Sequence, residues 1–148
     1  MVSLLIQNKI YFSLKKFFSF NLDDEEGNIY EGFYSNFFII RKDPLALLGA
    51  PKSKVLGGVT AKLTIEICND LDLQVIHQFP NLNQIDSWSG AFITSSFRGV
   101  MPINTIYLLD QQNQVEKTIH LHSDQSEQLK SIYNQFVKKI QISSTKII

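Results

Sequence analysis

Apolar and polar positions along this chain alternate in short runs that twice give way to a helical period. Strand-like runs fall near residues 18–22, 28–31, 35–41, 73–79, 90–95, 100–107 and 116–122, a period of two bounded by turn-forming residues. Leu63, Thr64, Ile67, Cys68 and Leu71 recur at helical spacing and predict a helix over 59–70 with one buried stripe. Leu129, Ile132, Tyr133, Phe136, Val137 and Ile140 predict a second over 125–141, opened by Asp124 with Glu127 as a capping box. A shorter helix is expected near 81–87. Strands mixed with helices imply a mixed α/β domain, with the last helix on the outside of a sheet. Ser143-Ser144-Thr145 opens a tail expected to fray.

Three places along this pattern carry candidate chemistry. Asp24-Glu25-Glu26-Gly27-Asn28 is a turn signal, and Glu31 follows it where the strand pattern breaks at Gly32. Glu31 reads either as a solvated hairpin glutamate or as a carboxylate held beside a ligand. Gly57 and Gly58 precede the first helix, so backbone can approach an anion closely and unpaired N–H groups can point at a phosphate. Thr60 is a natural N-cap there. Ala91-Phe92-Ile93 reads as a buried strand ending in Thr94, Ser95 and Ser96, whose hydroxyls can close a phosphate site from the opposite side. Arg98 is either a charge-assisted contact to a carboxylate or an exposed loop arginine.

Taken in order, Glu31-Gly32-Phe33-Tyr34-Ser35-Asn36, Gly58-Val59-Thr60 and the segment from Ala91 to Ile103 resemble the C-terminal half of class IV, pyridoxal-phosphate-dependent aminotransferases. That family contains the branched-chain and D-amino-acid transaminases and aminodeoxychorismate lyase. The resemblance covers about residues 20–108. It implies the cofactor-binding domain of the fold-type IV architecture, a mixed sheet with packed helices, and pyridoxal phosphate as cofactor. It places Glu31 on the pyridine nitrogen, Gly58, Val59 and Thr60 on the cofactor phosphate, and Ser96 as a second phosphate hydroxyl. Phe97, through its backbone N–H, and Arg98 fall near the substrate carboxylate. A departure is Ala61, where relatives often carry arginine.

By the family's offset, the Schiff-base lysine would fall at about the first residue of this chain or before it. Lys9, Lys15 and Lys16 lie too close to Glu31 to match. The expectation is therefore the C-terminal part of an aminotransferase, moving an amino group between an amino acid and a 2-oxo acid, with no catalytic lysine in this chain. The alternative is a non-catalytic descendant that serves as a ligand-binding or assembly module, and lyase chemistry on aminodeoxychorismate is a third option. Expected partners are the small-molecule amino acid and 2-oxo acid, and either a second copy or a lysine-bearing N-terminal portion. Residues 1–20 match no part of the family pattern, 21–142 form the class IV C-terminal-like domain, and 143–148 are tail.

Composition agrees with a single soluble domain: 148 residues at 44% apolar content suffice for one core. Zero net charge argues against nucleic acid or an anionic membrane as partner. Apolar runs in the first 20 residues are too short for a membrane span. With no arginine before Arg41, a cytoplasmic location is preferred over a mitochondrial presequence. Cys68, on the apolar stripe, reads as core. His120 and His122 share one strand face as solvated side chains, a metal site needing more ligands than cluster there. His77, alternating with Val75 and Phe79, is expected to be partly buried.

Overall fold

The computed structural model describes residues 2–7, 17–21, 26–29, 35–50, 58–95, 99–110, 112 and 114–147. Its strands are β1 (Val2–Gln7), β2 (Phe17–Asn21), β3 (Ser35–Lys42), β4 (Leu45–Gly49), β5 (Val75–His77), β6 (Trp88–Ser95), β7 (Gly99–Leu109) and β8 (Val115–His120). Two α-helices, α1 (Val59–Asp70) and α2 (Glu127–Ile147), and two 3₁₀ turns, Leu82–Ser87 and Ser123–Gln125, complete the described elements. The strands form one mixed sheet in the order β2-β1-β7-β6-β3-β4-β5, with β8 also paired to β7. Pairing is antiparallel for β3/β4, β3/β6, β6/β7 and β7/β8. It is parallel for β1/β2, β1/β7 and β4/β5.

Successive strand side chains point to opposite faces, so the apolar run 37–40 serves two cores at once. Phe37 and Ile39 pack with Ala91, Ile93, Ile103 and Trp88 on one face. Phe38, Ile40, Leu47, Phe92 and Val100 lie on the other, beneath Ala61, Ile67 and Cys68 of α1 and Leu129, Ile132 and Phe136 of α2. Each fully buried side chain of this kind contributes about 1.5–3 kcal/mol. This packing matters for α1, whose Val59, Thr60, Thr64, Ile65 and Ile67 are β-branched and poor intrinsic helix formers. The helix ends where Asp72 takes a left-handed φ of 56°, and the Leu73 N–H reaches back to the Cys68 carbonyl at 2.8 Å.

Helix positions follow the periodicity closely, and the departures have local causes. The second helix begins at Glu127 rather than near 125, because Ser126, not Asp124, caps it: the Leu129 N–H donates to Ser126 Oγ at 3.3 Å. Asp124 sits in the preceding 3₁₀ turn. The helix continues to Ile147, through the Ser143-Ser144-Thr145 stretch expected to open a tail. Of the two predicted stripes, Leu71 (38% exposed), Tyr133 (45%) and Ile140 (46%) fall outside the core. Leu71 is the C-cap of α1 rather than part of its barrel.

Two strands escaped the pattern. Leu45–Gly49 is short and flanked by turn residues, and Val2–Gln7 gains its ladders by pairing with β2 and β7. β1 and most of β2 lie within residues 1–20. Of the strand expected at 28–31, Asn28 forms an isolated bridge with Asn81, and residues 30–31 lie outside the described residues. The strand expected at 73–79 contracts to Val75–His77, and His77 is exposed rather than partly buried. That at 116–122 ends at His120.

Candidate functional site

Several chain ends meet at one end of the sheet. Ser35, the first residue of β3, is registered opposite Ser95, the last of β6, and Ser95 is in turn opposite Gly99, the first of β7. The first turn of α1 sits over this end. Thr60 Oγ1 donates to the Ser95 carbonyl at 3.1 Å in a buried bond, and a Cβ placed on Gly58 would lie 3.8 Å from Asn36 Oδ1.

The start of α1 has the electrostatics of an anion site. Its N-cap, Gly58, is extended (φ −72°, ψ 153°), makes no side-chain cap, and no acidic residue occupies the first turn. The earliest intrahelical bond described is from the Lys62 N–H to the Gly58 carbonyl at 3.0 Å, so the amides of Val59, Thr60 and Ala61 have no partner within the helix. Val59 is 79% exposed, so this end opens to solvent. Uncapped N–H groups and the positive end of the helix dipole together favour a phosphate or carboxylate.

Thr60 is not the N-cap that its position predicted. It lies inside the helix, and its hydroxyl satisfies a strand carbonyl 35 residues away. A hydroxyl carries one proton. While that proton is given to Ser95, Thr60 offers an incoming phosphate its backbone N–H and not its hydroxyl. Thr64 reinforces the turn by donating its hydroxyl to the Thr60 carbonyl at 2.8 Å. Thr94 Oγ1, one residue before Ser95, is buried with no hydrogen-bond partner among the described residues.

Of the residues singled out from sequence, the structure brings Gly58, Val59 and Thr60 together. Glu31, Gly57, Ser96, Phe97 and Arg98 lie outside the described residues. The segment preceding Glu31 is tied down. The Ile29 N–H donates to the Pro80 carbonyl and the Leu82 N–H to the Gly27 carbonyl, both at 2.8 Å. Asn81 Nδ2 donates to the Glu26 carbonyl at 2.6 Å, and Ile29 itself is 1% exposed. Sequence reasoning missed the Ser95 carbonyl as the seat of Thr60, because a backbone acceptor leaves no residue-type signal. It also missed Gly99, whose φ of +70° is the sort of position a glycine after a strand break can mark. Cys68 is core, as its place on the stripe implied, and burial pushes its thiol from 9.0 up to about 12.

Comparison with known proteins bears on the family and the fold. The model of the family described as amino-transferase class IV matches residues 11–106. A Rickettsia felis protein named "probable branched-chain-amino-acid aminotransferase" is 34% identical over 85 residues, covering 57% of this chain and 29% of that protein. This chain thus corresponds to under a third of that relative's length. Among solved structures, the branched-chain amino acid aminotransferase from Escherichia coli superposes with a TM-score of 0.68 at 15% identity, covering 92% of this chain and 51% of that one. The T.th. branched-chain amino acid aminotransferase, solved in complex with N-(5'-phosphopyridoxyl)-L-glutamate, gives a TM-score of 0.58 at 21% identity, covering 82% and 37%. At these identities the structural likeness establishes the fold: a mixed sheet with helices of the branched-chain aminotransferase type.

Proposed function

Because this chain belongs to the class IV aminotransferase family, whose members use pyridoxal phosphate, we propose that it carries the phosphate end of such a cofactor site. The reaction served is amino-group transfer between an amino acid and a 2-oxo acid, with branched-chain substrates suggested by the names of its relatives. The observation that carries this reading is the uncapped start of α1, held over the end of β6 by the Thr60 bond to Ser95. The residues present suit the group: the amides of Val59, Thr60 and Ala61 without intrahelical partners, no acidic side chain in the first turn, and an opening to solvent at Val59.

Each residue then has a task. The amides of Val59 and Thr60 bind the phosphate, the Thr60 hydroxyl fixes the turn that presents them, and Ser96 adds a donor from the β6 side. Glu31 keeps the pyridine nitrogen protonated, while the Phe97 N–H and Arg98 orient a substrate carboxylate. When bound, pyridoxal phosphate supplies the electron sink of its protonated ring. None of these residues is the lysine that anchors the cofactor in the family. Residues 1–148 alone are therefore expected to bind pyridoxamine phosphate, which needs no covalent bond, without turning substrate over.

Calorimetry and absorbance titration test the reading. Saturable binding of pyridoxamine phosphate, displaced by inorganic phosphate, is the expected result. A folded chain that shows no binding at about millimolar cofactor, an affinity worth only about 4 kcal/mol, would leave the non-catalytic module as the better account. Turnover of an amino donor by the purified chain would overturn the assignment of the lysine to another segment.

A further inference from the structure

We propose that the Thr94 hydroxyl is a further donor to an anion seated at the start of α1, idle in the free chain and satisfied when a phosphate oxygen arrives. The inference rests on the cofactor reading above and adds to it a residue on the floor of the site. Three neighbours locate Thr94 there. On β3 its cross-strand partner is Asn36, whose Oδ1 is 3.8 Å from where a Gly58 Cβ would stand. Along β6 its neighbour is Ser95, whose carbonyl takes the Thr60 hydroxyl at 3.1 Å. On β7 it is registered opposite Val100, which packs with Phe92 on the side of the sheet covered by α1 and α2. Residues two apart on a strand share a face, so Thr94 lies on the helix side with Phe92. It therefore sits beneath residues 58–60, where the amides without intrahelical partners begin.

Three threonines lie buried around this turn, and two have committed their protons. Thr60 donates to the Ser95 carbonyl and Thr64 to the Thr60 carbonyl at 2.8 Å. Thr94, 1% exposed, has its Oγ1 buried with no partner among the described residues. A buried hydroxyl without a hydrogen bond is unfavourable, and valine would fill the same volume on a strand without that cost. The hydroxyl is accounted for by a partner that comes and goes. What the neighbouring amides and the positive end of the α1 dipole attract is an anion. Thr94 Oγ1 has no open surface in the free chain, so the anion meets it as the first turn of α1 adjusts, approaching from the solvent side at Val59.

The test compares the full chain with Thr94→Val and Thr94→Ala, which lack the hydroxyl, and with Thr94→Ser, which keeps it. Each protein is melted without ligand and titrated by calorimetry with pyridoxamine phosphate, alone and with inorganic phosphate as competitor. Thr94→Val is expected to melt about 2–4 °C above wild type, having lost an unpaired buried hydroxyl, and yet to bind pyridoxamine phosphate about tenfold more weakly. The dissociation constant of inorganic phosphate should rise about tenfold as well, since the lost donor serves the anion and not the ring. Thr94→Ala should show the same loss of affinity at a lower melting temperature, and Thr94→Ser should bind within about threefold of wild type. A gain in stability with a loss of affinity is the signature of a hydroxyl kept for a ligand; a threonine that only packs would leave affinity unchanged. Folded Thr94→Val or Thr94→Ala that binds phosphate as tightly as wild type would overturn the proposal, as would a loss toward pyridoxamine phosphate with none toward inorganic phosphate. A wild type that binds neither ligand would instead overturn the cofactor reading itself.

Discussion

Replacing Val59 with proline removes one of the amides proposed to hold the phosphate while leaving the helix nearly untouched. Val59 is the first residue of α1, where the N–H has no intrahelical partner and proline's fixed φ suits a helix start. The residue before a proline must be extended, and Gly58 already is, at φ −72° and ψ 153°. The side chain is 79% exposed, so little burial is lost. Folding stability should change by no more than about 0.5 kcal/mol, as for other surface substitutions. The lost donor is different in kind: a hydrogen bond to a charged group is worth about 1.5–3 kcal/mol, or about 10- to 100-fold in affinity. Val59→Ala keeps the N–H and should bind within about twofold of wild type. The three proteins are compared by thermal melting and by calorimetric titration with pyridoxamine phosphate. A folded Val59→Pro that binds as tightly as Val59→Ala would refute the claim that α1 amides hold the phosphate.

Thr60→Val removes a buried hydroxyl and leaves the Ser95 carbonyl short of a donor, at a cost of about 1–3 kcal/mol in urea unfolding; Thr60→Ser should recover most of this. Ser123 is fully buried, donates to the Ile103 carbonyl and accepts from the Ala91 N–H at 3.0 Å. Ser123→Ala should therefore cost about 2–3 kcal/mol by the same assay, with cofactor affinity unchanged. Gly99→Ala meets both the Phe136 ring and an unfavourable φ, and its melting temperature should fall by the equivalent of about 2–4 kcal/mol. The Cys68 thiol ionises near 9.0 when exposed but near 12 in the fold. The unfolded chain thus binds fewer protons between those values, and stability falls as pH rises through that window, at up to about 1.4 kcal/mol per pH unit. Denaturant midpoints measured on either side of pH 9 should show this loss in wild type and less of it in Cys68→Ala.

What could be read from the sequence is what depends on neighbours along the chain. The bounds of α1 at 59 and 70 follow from its helical spacing after Gly58, and β3 and β6 follow from compact apolar runs ended by polar residues. The segments at Glu31, Gly58 to Thr60 and Ser96, taken in that sequence, carried the family resemblance, since spacing between short motifs survives where overall identity does not. Tertiary structure alone decided what depends on distant partners. Leu45–Gly49 and Val2–Gln7 are strands because other strands lie beside them, and nothing within five or six residues announces that. Ser126 caps α2 in place of Asp124 because the 3₁₀ turn at Ser123 docks on β6 and β7 and sets where the helix can begin. The site shows the same division. The chain places an uncapped helix start after Gly58, but the destination of the Thr60 proton and the contact of Phe136 with Gly99 are set by packing across 35 and 37 residues of chain. A hydroxyl's choice between a ligand and a carbonyl is made by whichever acceptor the fold brings within reach.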